Sequence, residues 1–216
     1  MREYVIATGM VLLTTPVNDY DRRIVLLTKE FGKITAFCKG ARRQGNKMCA
    51  ITNPFVFGEF KLYEGKNAYN LIDADISYYF EELRIDYEGA YLGMYFLEYA
   101  SYYTRENNDE IMVLKLLFQS IRAIIKPNID NRLIRAVFEI KMIVINGEFP
   151  GVPQNKDFLP STYRALSHIV DSPVEHLYTF AVKEEVLEEL LWLGNHYRKK
   201  FVDRPFKSLE IIDNVS

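Results

Sequence analysis

Residues 22–47 read RRIVLLTKEFGKITAFCKGARRQGNK, two apolar runs separated by a glycine turn. Apolar and polar residues alternate on both sides of Gly32, which is typical of two antiparallel strands joined by a tight turn. The same stretch holds eight Lys or Arg residues against one acidic residue, Glu30, although the formal net charge of the whole chain is −2. Because Phe37 and Cys38 lie inside the stretch, its charge belongs to folded structure. Such a local concentration of positive charge indicates a polyanionic partner, and a phosphate backbone is the first hypothesis.

The alternation continues through the first 80 residues and breaks at turn signals, as in an all-β module. A long loop, residues 40–53, follows the third predicted strand. Five short strands with this loop predict a small Greek-key barrel, and the oligonucleotide-binding (OB) barrel is the commonest architecture of that kind. The strands are predicted near residues 4–14, 23–29, 33–39, 55–64 and 68–76.

After about residue 80 the apolar residues recur at helical spacing. The fold class is therefore predicted as α+β, with an OB-type barrel over residues 1–80 and an all-helical domain over 81–216. Asn107 and Glu110 form a capping-box pattern for the second helix, and Asp130 and Gly147 bound the third. Residues 147–160 contain two glycines and three prolines and are predicted as a loop. A last helix, near 183–201, is followed by a predicted extended tail, FKSLEII.

Composition narrows the class of protein further. The chain has 216 residues, of which 49% are hydrophobic and 26% are charged, as in ordinary globular proteins. It has no run of eighteen apolar residues, so we expect no membrane span. Cys38 and Cys49 are the only cysteines, too few for a disulfide framework and consistent with a reducing compartment. We therefore expect a cytoplasmic protein.

The candidate nucleic-acid site lies on the predicted barrel. On the third strand Ile34, Ala36 and Cys38 share the side that faces the core, and Lys33, Thr35, Phe37 and Lys39 share the outer side. Aromatic rings beside cations are typical of single-strand binding, where rings stack on bases and cations follow phosphates. The alternative is that Phe37 and Phe57 pack beneath a helix and that the cations form a solvated face. The predicted DNA-binding residues are Arg22, Arg23, Lys33, Phe37, Lys39, Arg42, Arg43 and Lys47.

Enzyme signals are weak along the whole chain. The sequence has no P-loop, no GxGxxG and no HExxH motif. His168, His176 and His196 are the only histidines, and no cysteine lies near them in sequence, so we predict no metal site, no cofactor and no catalytic residue. Two other functions stay open: a protein-interaction module that does not bind DNA directly, and a nuclease.

Two stretches resemble the N-terminal barrel of the bacterial recombination mediator family RecO. They are DYDRRIVLLTKEFGKITAFCKGARR and NPFVFGEFKLYEGKNAYNLIDADI, residues 19–43 and 53–76. The later FLPSTYRALSHIVDSPVEHLYTF, residues 158–180, and FKSLEII, residues 206–212, look like the C-terminal helical part of that family. The order and spacing of these stretches, more than any one motif, carry the resemblance.

The resemblance implies a DNA repair and recombination mediator without catalytic turnover. Members of the family bind single- and double-stranded DNA, anneal strands coated with single-strand-binding protein and join RecR to help load RecA, so a location at the nucleoid is implied. The family's DRI, FGK and KGAR stretches are matched here by Arg22, Lys33, Lys39, Gly40, Arg42 and Arg43. The resemblance gives the DNA-contacting role to the basic residues among them. The family also docks the acidic tail of single-strand-binding protein on its helical domain, and the candidates here are Arg132, Arg135 and Lys141.

One feature departs from the family pattern. Many RecO sequences insert a four-cysteine zinc module after the third helix, close to where GEFPGVPQNKDF, residues 147–158, stands in this chain. No cysteine follows Cys49. We therefore expect a shortened loop at residues 147–160 in place of the zinc module, and no zinc.

Overall fold

The computed structural model describes residues 3–215. Five strands are followed by most of the helices, and two short 3₁₀ turns lie at Glu81–Arg84 and Val174–His176. The strands are β1 (Tyr4–Val17), β2 (Asp21–Thr28), β3 (Gly32–Cys38), β4 (Phe57–Glu64) and β5 (Tyr69–Tyr78). The helices are α1 (Met48–Ile51), α2 (Tyr87–Tyr103), α3 (Ile111–Ile124), α4 (Asn131–Ile145), α5 (Pro160–Asp171), α6 (Glu184–Phe201) and α7 (Lys207–Val215).

The strands close into a barrel in the order β1-β2-β3-β5-β4. Neighbouring strands pair antiparallel except β3 and β5, whose short parallel contact closes the barrel. The core follows from the period-two alternation, because Ile34, Ala36 and Cys38 on β3 are buried while Phe37 between them is exposed. Helix α1 lies between β3 and β4 and adds Met48 to the barrel core. The predicted five-stranded OB-type barrel is confirmed.

Two glycines allow the strands of the barrel to approach closely. Gly9 of β1 lies opposite Gly58 of β4 on one side and Thr28 of β2 on the other. A Cβ atom on Gly9 would overlap the carbonyl oxygen of Leu27, and one on Gly58 would overlap that of Asp75. Both clashes are with backbone atoms, which cannot rotate away. The barrel therefore needs glycine at both positions.

The contacts of the described residues divide the chain into two compact units. The first holds the barrel, up to Ile85, together with Leu97–Leu114. The second holds Asp86–Phe96 and the described residues from Lys115 onward. In the second unit α4 and α6 pack against each other.

Helix α4 begins and ends where the sequence predicts. The side chain of Asp130 accepts a hydrogen bond from the N–H of Arg132 and caps the N-terminus. Gly147 has φ +72, and the N–H of Glu148 donates to the carbonyl oxygen of Ile143. This left-handed residue with its back-donated hydrogen bond ends the helix as predicted.

Two local predictions were wrong. The tail FKSLEII is not extended, because Lys207–Val215 form α7. Leu209 of this helix is buried, as is Phe206 just before it. The capping box at Asn107 does not form, since Asn107 has φ +60 and α3 begins only at Ile111. The carboxylate of Glu110 instead accepts the N–H of Arg105 at 2.9 Å. None of the helices in residues 3–215 has the length and apolar content needed to cross a bilayer.

Candidate nucleic-acid interface

The outer side of the β2–β3 ladder carries a cation next to an aromatic ring. Arg23 of β2 lies directly opposite Phe37 of β3. Both point away from the core, because the adjacent Ile24 and Ala36 are fully buried and strand side chains alternate. Phe37 keeps 37% of its surface exposed, so part of its ring is open to solvent. Lys39 follows on the same side and is exposed.

The turn between β1 and β2 meets the loop after β3 at this end of the ladder. The N–H of Arg42 donates to the carbonyl oxygen of Tyr20 at 2.8 Å, and the Arg43 guanidinium lies 5.3 Å from the centre of the Tyr20 ring. Nη1 of Arg42 contacts the carbonyl oxygens of Asn18 and Asp19 at 3.3 Å. Tyr20 is 52% exposed. The sequence analysis missed this tyrosine, whose one signal was an aromatic residue in a polar turn.

These side chains form a single surface, which we call the basic face. Its four cations are exposed, and its two rings are partly open to solvent. Such groups can follow a phosphate backbone and stack on bases without reading their sequence. The basic face consists of Tyr20, Arg23, Phe37, Lys39, Arg42 and Arg43.

Two of the predicted DNA-binding residues are engaged elsewhere. The ammonium group of Lys33 donates to the carbonyl oxygen of Ser101, and Lys33 lies about 13 Å along β3 from Phe37 at the usual rise per residue. Lys47 pairs with Asp73 at 2.8 Å. The hydrogen bond from Lys47 holds the pKa of the Asp73 carboxyl below its usual value. The structure therefore does not bring Lys33 and Lys47 to the basic face.

Arg22 belongs to the support beneath the basic face. It lies opposite Cys38 in register, on the side of β2 that faces the barrel interior. Its Nη1 donates to the carbonyl oxygen of Cys49 at 2.8 Å, to Oγ1 of Thr52 at 2.8 Å and to Oδ1 of Asn53 at 3.0 Å. These bonds fix α1 and the end of the loop at residues 40–53 on the barrel. Burial raises the pKa of the Cys38 thiol to about 11, so this thiol stays protonated at neutral pH.

The predicted partner-binding residues of α4 are held in ion pairs or buried. Arg132 pairs with Glu184 at 2.8 Å and also with Glu188, and its hydrogen bond to Glu184 raises its pKa. Arg135 pairs with Asp213 at 3.0 Å.

Lys141 is almost fully buried. Its ammonium group donates to the carbonyl oxygens of Val170 at 2.8 Å and Ser172 at 2.9 Å. Burial lowers its pKa. These contacts tie α4 to the end of α5, a structural use of the lysine. Of the three residues on α4, the structure places only Arg135 at an open groove.

That groove runs along α6 and has a volume of about 620 Å³. Its floor includes the indole of Trp192, and the Lys156 ammonium lies 3.9 Å from the centre of that ring. The sequence analysis found only one of the cations that line it. The lining residues are Arg135, Lys156, Glu188, Glu189, Leu191, Trp192, Asn195, Arg198, Lys199 and Asp213.

The loop at residues 147–160 is held on α6 by rings and hydrogen bonds, among them one from the Leu159 N–H to Oε2 of Glu189 at 3.0 Å. The Tyr197 hydroxyl donates to the carbonyl oxygen of Gly151, and the ring of Phe149 packs edge-on against Tyr197 at 5.5 Å. Within residues 3–215 no group of three or more His, Cys, Asp or Glu side chains could hold a metal ion. Aromatic packing against α6 is what orders this loop.

A closed barrel with this strand order, and with a helix between β3 and β4, is an OB-type barrel. Residues 1–80 match the family described as Recombination protein O N terminal. A DNA repair protein RecO of Acetivibrio thermocellus is 26% identical in an alignment that covers 98% of this chain and 97% of that protein. A DNA repair protein RecO of Clostridium novyi is 23% identical, covering 95% of this chain and 92% of its own length.

A third relative, a DNA repair protein RecO of Alkaliphilus metalliredigens, is 30% identical over 66% of this chain and 58% of its own length. The barrel therefore carries the N-terminal domain of the RecO family, and the chain is similar to DNA repair proteins RecO over almost its whole length.

Proposed function

We propose that this chain binds single- and double-stranded DNA through its basic face and anneals strands coated with single-strand-binding protein. Together with RecR it then helps to load RecA. The observation that carries the proposal is the gathering of four exposed cations and two accessible rings at one end of the β2–β3 ladder. DNA binding is assigned to residues 1–80, and the helical residues 81–216 serve the protein partners. Such a protein acts in the cytoplasm, at the nucleoid.

The mechanism that we propose depends on charge neutralisation. Two DNA backbones repel each other, and cations that replace the condensed counterions allow them to approach. The rings of Phe37 and Tyr20 can stack on unpaired bases of any sequence. Because the basic face offers no pattern of hydrogen-bond donors matched to base edges, binding is expected to be independent of sequence.

Charge reversal on the basic face tests DNA binding. With about four phosphates neutralised, the log–log salt slope for a single strand should be about −2.8, a loss of affinity of roughly 50-fold between 50 and 200 mM salt. Arg23→Glu combined with Arg43→Glu should weaken binding to all sequences and reduce that slope to about −1.4. Filter binding of labelled oligonucleotides of several sequences at two salt concentrations measures both quantities.

The matched control reverses two cations outside the basic face, Lys29→Glu with Lys183→Glu. Lys29 lies about 20 Å along the strand direction from Arg23. The control should keep the parental salt slope to within a few tenths. If the parental chain itself fails to bind oligonucleotides at low salt, the alternative of a protein-interaction module is favoured. If magnesium leads to cleavage of the DNA, the protein is a nuclease.

We further propose that the groove on α6 receives the acidic tail of single-strand-binding protein. Four cations line this groove beside Leu191 and Trp192, together with the carboxylates of Glu188, Glu189 and Asp213. Its cations and apolar side chains suit a peptide that carries both carboxylates and apolar residues. Arg135, predicted from the sequence, lines this groove, whereas the contacts of Arg132 and Lys141 do not support a direct role for them.

Reversing two cations of the groove, the exposed Lys199 and the partly exposed Lys156, should separate the two functions. Lys156→Glu with Lys199→Glu is expected to slow annealing of strands precoated with single-strand-binding protein by about tenfold, the effect of losing about 1.4 kcal/mol of docking energy. Annealing of uncoated strands should be unchanged, because the basic face is intact. Lys126→Glu with Lys183→Glu, two exposed cations outside the groove, is the control. Equal losses on coated and uncoated strands would contradict the assignment.

A further inference from the structure

A second surface of the barrel has the opposite charge to the basic face. It lies on the outer side of the β1–β4–β5 ladder, where Ile6 is registered against Lys61 and Lys61 against Asp73. In the next row Glu59 of β4 lies directly opposite Asp75 of β5. These side chains border a depression of about 210 Å³.

Large apolar side chains are exposed beside these carboxylates. Ile6 is 53% exposed and Tyr4 is 50% exposed, and the Lys61 ammonium is drawn over the Tyr4 ring, 3.7 Å from its centre. Lys61 therefore covers a ring of the patch and lies between Ile6 and Asp73. We call this surface the acidic face, and it consists of Tyr4, Ile6, Glu59, Asp73 and Asp75.

The pairing of Glu59 with Asp75 is unfavourable for an isolated barrel. Carboxylates directly opposite each other on neighbouring strands repel. Neither of them makes an ion pair with another residue in the part of the chain that the structure describes. DNA is not a suitable ligand here, since its phosphates would add to the repulsion. A ligand for this surface should be positively charged and should offer an apolar centre.

The basic face has both properties. It places cations beside Phe37 and Tyr20, and the acidic face places the carboxylates of Glu59 and Asp75 one row from Ile6. The third carboxylate of that face, Asp73, is paired with Lys47, so among the described residues Glu59 and Asp75 carry its unpaired negative charge. The two faces belong to different sides of one barrel, because β4 pairs with neither β2 nor β3. We propose that the acidic face of one molecule docks on the basic face of a second copy of this chain.

Such a contact is heterologous, so it leaves an unused face at each end and permits short head-to-tail chains of molecules. Since both faces rely on exposed charges, the contact should weaken as salt screens them. If the basic face also binds DNA, as proposed above, then DNA and the second copy compete for it. Molecules not bound to DNA would then form head-to-tail chains, and DNA would dissociate these chains by occupying the basic face.

A charge-swap experiment tests the contact without DNA. The first variant, Glu59→Lys with Asp75→Lys, makes the acidic face basic, and the second, Arg23→Glu with Lys39→Glu, makes the basic face acidic. In sedimentation at about 50 mM salt and up to about 200 μM protein, the parental chain should reach at least about 1.5 times its monomer mass. Each variant alone should stay monomeric, and an equimolar mixture of the two should recover the parental association.

The mixture is decisive because contacts between the two variants again bring a basic face against an acidic face, whereas two copies of one variant repel. Association of either variant alone to the parental level, or a mixture that stays monomeric, would overturn the proposal. Glu82→Lys with Glu185→Lys changes the net charge by the same amount outside both faces and should associate as the parental chain does. Circular dichroism checks that each variant is folded.

The DNA assay separates this inference from the proposed function. The variant Glu59→Lys with Asp75→Lys should bind oligonucleotide at least as tightly as the parental chain does. If the mixture associates but oligonucleotide binding does not depend on Arg23 and Lys39, the self-association stands and the DNA-binding assignment fails.

Discussion

Replacing Gly9 with alanine is expected to destabilise the protein by about 3 kcal/mol, the upper part of the usual range for overpacking. The added Cβ would overlap the carbonyl oxygen of Leu27 on the neighbouring strand. Relief requires β1 to move away from β2, and Gly58 on β4 is equally constrained on the other side. Urea denaturation followed by circular dichroism measures the loss, and the melting temperature should fall by about 10 °C.

The control for this prediction is Gly45→Ala in the loop after β3. Gly45 has φ +75, and no atom lies within 4 Å of a Cβ placed on it. Alanine there should lower the free energy of unfolding by only about 1–2 kcal/mol, because of left-handed backbone strain alone. If Gly9→Ala loses no more stability than Gly45→Ala, the clash across β1 and β2 is relieved at little cost and the packing argument fails. If Gly9→Ala unfolds at the parental urea concentration, the strands can separate without cost and the packing argument is wrong.

The barrel was predictable because its strands alternate with period two. That pattern alone places Phe37 outside and Cys38 inside, and the structure confirms both. The same alternation places Arg23 on the outer side of β2 and Arg22 on the inner side. A count of charges along the segment would treat the two arginines as equivalent. Arg22 faces inward, and its guanidinium donates hydrogen bonds to three acceptors.

Contacts between segments distant in sequence were not predictable from local patterns. The approach of Arg43 to Tyr20 needs the β1–β2 turn and the loop after β3 to lie together. Nothing in the sequence of either segment indicates that it contacts the other. Lys33 was assigned to the site for its charge, but its acceptor is a carbonyl 68 residues away, at Ser101. The groove on α6 could not be predicted for the same reason, because the cations that line it come from several elements.

The α4–α6 contact also holds a buried carboxylate that the sequence analysis did not single out. Glu139 is 1% exposed and accepts hydrogen bonds at Oε1 from the Tyr95 hydroxyl at 2.6 Å and from Nε of Arg135 at 3.2 Å. Nε of Arg198 lies 3.8 Å from the same oxygen. Its second oxygen packs against Gly194 of α6, where a Cβ would overlap it. One carboxylate thus forms ion pairs with two arginines whose side chains are themselves mostly buried.

Glu139→Ala is therefore expected to cost about 3–5 kcal/mol, as for other buried ion pairs that lose one partner. Arg198 would lose its only ion pair within the described residues, and Arg135 would keep Asp213 alone. The matched control is Glu188→Ala, which removes one of the exposed partners of Arg132 from the same pair of helices and should cost less than about 1 kcal/mol. Urea unfolding of both variants gives the comparison.

A rescue variant separates charge from hydrogen bonding at this site. Glu139→Gln keeps an acceptor for the Tyr95 hydroxyl and fills the same space beside Gly194, but it removes the negative charge. If the charge is what compensates Arg135 and Arg198, glutamine should recover less than about half of the stability lost with alanine, since breaking a buried pair leaves an uncompensated charge. Full recovery would mean that packing and the tyrosine hydrogen bond, and not the ion pairs, hold α4 against α6. A loss in Glu139→Ala no larger than in Glu188→Ala would contradict the prediction altogether, because burial would then add nothing to the strength of the pair.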